Sequence, residues 1–272
     1  MRIFIAPISL LIPIVPVAAA EKIEFGVGEY RLHAELYRPA GNGPFPTIVA
    51  LHGCNGLRDA AGRTRPLYAD WGERLAAQGM AVLFPDSYGS RGLGSQCRVR
   101  NRTVQPYRER VADAQAARHW LQMQDWVQKD RVGLLGWSNG AIATLWTVRP
   151  RTVVKDGQPD FRSAVAFYPG CRRLVERGWS ARIPTLILVG AADNWTPARD
   201  CEQMVAGARG RSARAGIVKY RDAYHSFDRA NLPVMELRGL AFTPDGSGRA
   251  HIGGNPEARA DALKRVPQWL KR

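Results

Sequence analysis

Six short apolar runs, Thr47–Leu51, Ala81–Phe84, Val132–Gly136, Ala164–Tyr168, Thr185–Val189 and Ile217–Tyr220, recur along the chain with helical patterning between them. A strand with one wet face alternates apolar and polar residues, so an uninterrupted apolar run predicts a strand buried on both faces. Such strands need helices above and below the sheet. Tyr107, Val111, Ala114, Ala117 and Leu121 share one helical face, and shorter helical patterns cover 67–78, 139–147, 197–207 and 257–270. Residues 23–27 and 30–37 alternate instead, which predicts an antiparallel entry hairpin. Strand then helix, repeated, predicts an α/β fold with a mostly parallel sheet covered on both faces. No Pro/Ser-rich or charged linker divides the 272 residues, so one core is expected over 21–272, with 238–256 as a long surface loop.

The first twenty residues read as an address. Met1-Arg2 precedes the apolar stretch Ile3 to Ala20, which ends in Ala18-x-Ala20, the order of a secretory signal peptide cleaved after Ala20. Pro7, Pro13 and Pro16 argue against a permanent membrane helix. A periplasmic or secreted location is therefore expected. Cys54, Cys97, Cys171 and Cys201 form no CxxC pair and no zinc-finger spacing, so disulfides are expected and a metal site is not. Four cysteines allow three pairings; Cys54 with Cys97 and Cys171 with Cys201 is chosen because each pair lies in successive loops after neighbouring predicted strands. Lys+Arg 39 against Asp+Glu 24 gives a net charge of +15, but no run of five or six like charges occurs, so a solvated basic surface is expected and nucleic-acid binding is not.

The run Val132–Gly136 leads into Gly136-Trp137-Ser138-Asn139-Gly140 and then into a helix start, a Gly-x-Ser-x-Gly turn between strand and helix. A sharp turn there presents the serine hydroxyl outward and aims the first helical N–H groups at developing negative charge. Nucleophile, acid and histidine follow in that chain order in this architecture. His225 comes shortly after the last predicted strand, whereas His251 falls in the polar loop. Asp193 follows the run Thr185–Val189; Asp200, Asp222 and Asp228 are its rivals, and Thr196-Pro197 reads as a helix N-cap with proline at N1. The backbone N–H groups of Asn139 and of Cys54, in His52-Gly53-Cys54-Asn55-Gly56, are the expected oxyanion donors.

His52-Gly53-Cys54, Gly136-Trp137-Ser138-Asn139-Gly140, Asp193-Asn194-Trp195-Thr196-Pro197 and Tyr224-His225-Ser226-Phe227-Asp228 together resemble the dienelactone hydrolase family of α/β-hydrolases, from about residue 30 to the C-terminus. The resemblance implies an eight-stranded α/β-hydrolase sheet, a nucleophile–His–Asp triad, no metal and no organic cofactor. It also implies a substrate-binding arginine four residues past the histidine, where Arg229 stands. This chain carries Ser138 where the namesake enzymes have cysteine, and His52 where they have a glutamate, so the resemblance fixes the mechanism class better than the substrate. The expected reaction is cleavage of an ester or lactone through an acyl-enzyme, with kcat/KM rising with pH as the imidazole loses its proton. Arg229 and Arg91 are expected to clamp a substrate carboxylate, and Trp137, Trp195 and Tyr88 to wall the pocket. A peptidase or acyltransferase on the same triad, and an exported polyanion-binding protein without activity, are the alternatives.

Overall fold

The computed structural model describes residues 20–153 and 155–271; the expected leader lies outside them apart from its last residue. The entry hairpin is β1 (Glu21–Val27) and β2 (Tyr30–Tyr37), antiparallel with Glu21 opposite Leu36. The six apolar runs become β3 (Phe45–Leu51), β4 (Ala81–Pro85), β5 (Val127–Trp137), β6 (Ala164–Phe167), β7 (Thr185–Gly190) and β8 (Ala215–Tyr220). They form one eight-stranded sheet in the order β1-β2-β4-β3-β5-β6-β7-β8. Only the hairpin and its junction with β4 are antiparallel; every other pairing is parallel.

Neighbouring residues of one strand serve opposite cores, which is why the runs are nearly continuous; the edge strand β8 is the exception, with Lys219 exposed. Val49 and Leu51 of β3 pack with Ala114, Ala117 and Leu121 of α2 (Glu109–Gln122) and with Ala141 and Leu145 of α3 (Asn139–Thr147). Ile48 and Ala50 pack on the other side, with Tyr68, Trp71 and Leu75 of α1 (Pro66–Ala77). The short α4 (Arg172–Glu176) and α5 (Ala198–Gly207) join the first layer, and the C-terminal α6 (Pro256–Leu270) joins the second.

Two expectations need correction. Residues 238–256 are not all loop: β9 (Met235–Leu237) pairs with β10 (Ala250–Ile252) in a small antiparallel ribbon. Strands this short carry too little alternation to be read from sequence. The N-cap of α5 is Pro197 and not Thr196, whose hydroxyl is used elsewhere. On α2 the side chains of Arg110, Asp113, Arg118 and Gln122 are all buried.

Both disulfides form as paired above, Cys54–Cys97 and Cys171–Cys201, which favours an oxidising, non-cytoplasmic compartment. Among the described residues no helix is long and apolar enough to cross a membrane.

Candidate active site

Ser138 stands between the end of β5 and the first residue of α3, with φ 52° and ψ −114°. Left-handed backbone at a non-glycine residue is strained and persists only where its surroundings fix it. Its flanks explain how. A Cβ at Gly136 would lie 2.5 Å from the Gly140 carbonyl oxygen, and one at Gly140 would lie 2.0 Å from that of Leu51, so both positions require glycine. The Ser138 N–H donates to the Phe167 carbonyl at 2.9 Å, which ties the turn to β6.

The imidazole of His225 reaches this turn from the loop after β8. Its Nε2 is 3.0 Å from Ser138 Oγ, and its Nδ1 is 2.8 Å from Asp193 Oδ2. A carboxylate only accepts, so the Nδ1 proton faces Asp193 and Nε2 is left to accept from the serine. Asp193 is fixed in turn: Oδ1 accepts from the N–H groups of Trp195 and Thr196, each at 2.8 Å, and Oδ2 accepts from the Thr196 hydroxyl at 2.8 Å. His225 packs between the rings of Tyr168 and Trp195, with centroids 4.5 and 4.6 Å away. Gly190 lets the loop approach, since a Cβ there would sit 2.1 Å from the Ala223 carbonyl oxygen. The segment expected to be loose supports it from outside: His225 bridges to Ile252 of β10, and the Gly253 N–H donates to the His225 carbonyl at 3.0 Å.

The rival carboxylates are engaged elsewhere. Asp200 lies beside Arg199 at 3.7 Å and Asp222 beside Arg221 at 3.5 Å. Asp228 is buried beneath the site, accepting from Trp71 Nε1, Trp137 Nε1 and the Tyr168 hydroxyl, each at 2.8 Å. Burial raises its pKa, and those three donors oppose the rise. It holds the aromatic floor on which His225 rests. His251 is half-buried, its ring against Tyr224 and its N–H donating to Asn194 Oδ1 at 2.8 Å.

Ser138, Asn139 and Cys54 line one cavity of about 820 Å³. Asn139 is the first residue of α3, so its N–H has no partner within the helix. The loop carrying Cys54 is held by Tyr68, whose hydroxyl accepts from the Gly53 N–H at 2.8 Å, and by the bond to Cys97. Burial pushes the Tyr68 phenol up to about 12, so it stays a neutral partner.

A residue that the sequence reading missed joins the two donor segments. Arg110, fully buried on α2, donates Nη1 to Asn139 Oδ1 at 2.7 Å and Nη2 to the His52 carbonyl at 2.7 Å. Its signal was hidden because a lone arginine in a helical pattern reads as surface. His52 itself is fully buried. Its Nδ1 meets the Gly53 carbonyl at 2.8 Å, and burial, aided by Arg110, holds its pKa well below the usual histidine value.

The expected substrate contacts divide. Trp195 lines the large cavity and also a smaller one of about 120 Å³, where Arg229 and His225 are found. Among the described residues no carboxylate pairs with Arg229. Trp137 borders the smaller cavity, but its indole belongs to the core, stacked on Phe84 and Phe167. Tyr88 is a correction: it is fully buried and its hydroxyl donates to Asn139 Oδ1 at 2.9 Å, so it props the oxyanion segment and walls nothing. Arg91 is another. Its guanidinium pairs bidentately with Asp113 at 2.7 and 2.9 Å and donates to the Ser87 carbonyl at 2.8 Å, which spends its fork inside the protein.

A hydroxyl poised on an imidazole, itself oriented by a carboxylate, at the head of a helix, is an arrangement able to perform acyl transfer. Similar solved structures include a dienelactone hydrolase from Klebsiella pneumoniae (TM-score 0.67, 20% identity, 94% of this chain and 100% of that one) and a dienelactone hydrolase-like promiscuous phosphotriesterase, P91, from metagenomic libraries (TM-score 0.71, 20% identity, 94% and 98%). Among curated proteins, the uncharacterized peptidase YuxL of Bacillus subtilis is 23% identical over 258 residues, 83% of this chain. The chain spans 38% of that relative's length. The model of the dienelactone hydrolase family matches residues 32–272, and the chain therefore belongs to that family, on an α/β-hydrolase fold.

Proposed function

We propose that the protein is a serine hydrolase that cleaves carboxylic esters or lactones through an acyl-enzyme on Ser138, acting outside the cytoplasm after export. The observation that carries this reading is the continuous hydrogen-bonded chain from Ser138 Oγ through His225 to Asp193, at the junction of two cavities. His225 takes the serine proton as Oγ attacks the carbonyl carbon, and the N–H groups of Asn139 and Cys54 receive the oxyanion. Collapse expels the alkoxide, which takes the proton from His225. Water activated by the same imidazole then releases the acid and restores the serine. Asp193 holds the tautomer and stabilises the imidazolium without taking its proton. Arg229, facing the smaller cavity beside His225, is suited to a carboxylate close to the scissile bond. Export is supported by the two disulfides together with the leader pattern.

A serine-directed phosphonate is expected to label Ser138, and Ser138→Ala to lower ester turnover by roughly 10⁴- to 10⁶-fold. Labelling at another residue, or wild-type turnover in the alanine variant, overturns the assignment. Amide cleavage is the second reading. It is favoured by YuxL and by an acylaminoacyl peptidase of Pyrococcus horikoshii, similar in fold (TM-score 0.66, 15% identity, 95% of this chain, 42% of that one). Peptide anilides compared with matched esters separate the two.

A further inference from the structure

The two cavities meet at Ser138 but are bordered by different chemistry. His225 faces the smaller and Asn139 the larger, while Cys54 and Ser138 border both. A general acid must reach the leaving oxygen. The alcohol portion of an ester bound for reaction therefore sits on the small side, and the acyl portion extends into the large one. The wall of the large cavity is basic. Arg172 and Arg199 have acids beside them, Glu176 and Asp200, each at 3.7 Å. Arg100, Arg102 and Arg173 line the same cavity, and among the described residues no carboxylate pairs with any of the three.

Arg102 is the one built in. It is half-buried, with its guanidinium over the Phe242 ring at 4.7 Å from the centroid. Nε donates to the carbonyls of Gln96 at 2.9 Å and Val99 at 3.2 Å, while its two terminal nitrogens make no hydrogen bond to a described residue. A guanidinium anchored through Nε keeps a two-pronged edge available for a carboxylate. Arg91 shows the contrast, for its edge is filled by Asp113. Burial lowers the pKa of Arg102, whereas Arg91, also buried, is raised by Asp113. A partly desolvated cation with no carboxylate beside it is costly, and an anionic ligand would offset that cost.

We propose that the large cavity receives the acyl portion and that Arg102 binds a carboxylate carried by that portion, so that the preferred substrate is the ester of a small alcohol with a dicarboxylic acid. This rests on the serine-hydrolase reading above. Ser138 Oγ bonds to the acyl carbon as the carbon–alkoxy bond breaks, and the alcohol leaves with the proton relayed by His225. Water then cleaves the acyl–serine bond, releasing the dicarboxylic acid.

The test is a panel of monomethyl esters of linear dicarboxylic acids of graded length, each against the methyl ester of the matching monocarboxylic acid. At one chain length the wild-type protein is expected to favour the half-ester by roughly ten- to a hundredfold in kcat/KM. Arg102→Gln should bring that ratio to about one, and Arg102→Lys should retain part of it. Because it is a ratio within one preparation, loss of folded protein cancels. A flat ratio at every length in wild type, or an unchanged ratio in Arg102→Gln, overturns the inference while Ser138-dependent cleavage of the neutral esters keeps the hydrolase reading. Absence of both cleavage and phosphonate labelling defeats both.

Discussion

The turn that carries Ser138 and the loops that roof the large cavity are built in opposite ways. At the turn, backbone lies against backbone so closely that Gly136 and Gly140 admit no side chain. Over the cavity, the segments holding Arg102 and Phe242 are tied by point contacts: the Cys54–Cys97 bond, the Gln96 N–H to the Cys54 carbonyl at 2.7 Å, and the Ala241 N–H to the Cys97 carbonyl at 3.0 Å. Reaction chemistry therefore rests on shape that tolerates no change, while recognition rests on side chains that can be exchanged one at a time.

Substitutions can break this contrast. The largest effect is expected for Gly140→Ala, whose methyl would stand 2.0 Å from the Leu51 carbonyl oxygen and must move the turn. Displacement of the nucleophile by about 1 Å costs on the order of 10²-fold in kcat, with about 3 kcal/mol lost in urea unfolding. At Gly94, in the roof, nothing lies within 4 Å of a built Cβ, and Gly94→Ala should change stability by less than about 0.5 kcal/mol. An equal response at the two glycines would erase the distinction. Next comes Arg110→Met, which releases both oxyanion segments together. It is expected to lower kcat about ten- to a hundredfold with little change in KM, read from steady-state kinetics.

The two disulfides sharpen the comparison further. Each closes a loop of similar length, 43 and 30 residues apart in sequence, so removing either as a serine pair should cost up to about 4 kcal/mol in thermal or urea unfolding. Only the Cys54–Cys97 pair borders the reaction centre. Its removal is expected to lower kcat by roughly tenfold as the roof and the oxyanion loop loosen, whereas loss of Cys171–Cys201 is expected to spare kcat. The smallest effect belongs to His52. Its folded pKa is lowered from 6.5, so the unfolded chain binds a proton that the folded protein refuses, and stability falls as pH drops below that value. His52→Gln should remove at most one proton, about 1.4 kcal/mol per pH unit, from the acid limb of a stability-against-pH curve.

What could be read in advance follows the same division. The sheet was legible because strands covered on both faces have no polar residues to interrupt them, as at Thr185–Val189. Ser138, His225 and Asp193 were legible because each belongs to a local pattern tied to a strand end. Arg91, Arg102 and Arg110 were not. All three are arginines between residues 91 and 110, yet one is paired, one is free at its terminal nitrogens and one is buried on two carbonyl-type oxygens. Which of these an arginine becomes depends on groups far along the chain, such as Asp113 on α2 or Asn139 after β5. Thr196 was misread for the same reason, its hydroxyl being drawn to Asp193 and His225 in place of its own helix.

The link at Cys54 joins one oxyanion donor to the wall beside the substrate, and a cytoplasm that keeps thiols reduced would leave that link open. A newly made chain would thus carry an assembled nucleophile but a slack grip on its transition state. Under the proposed function, its full rate is expected only once that bond has formed.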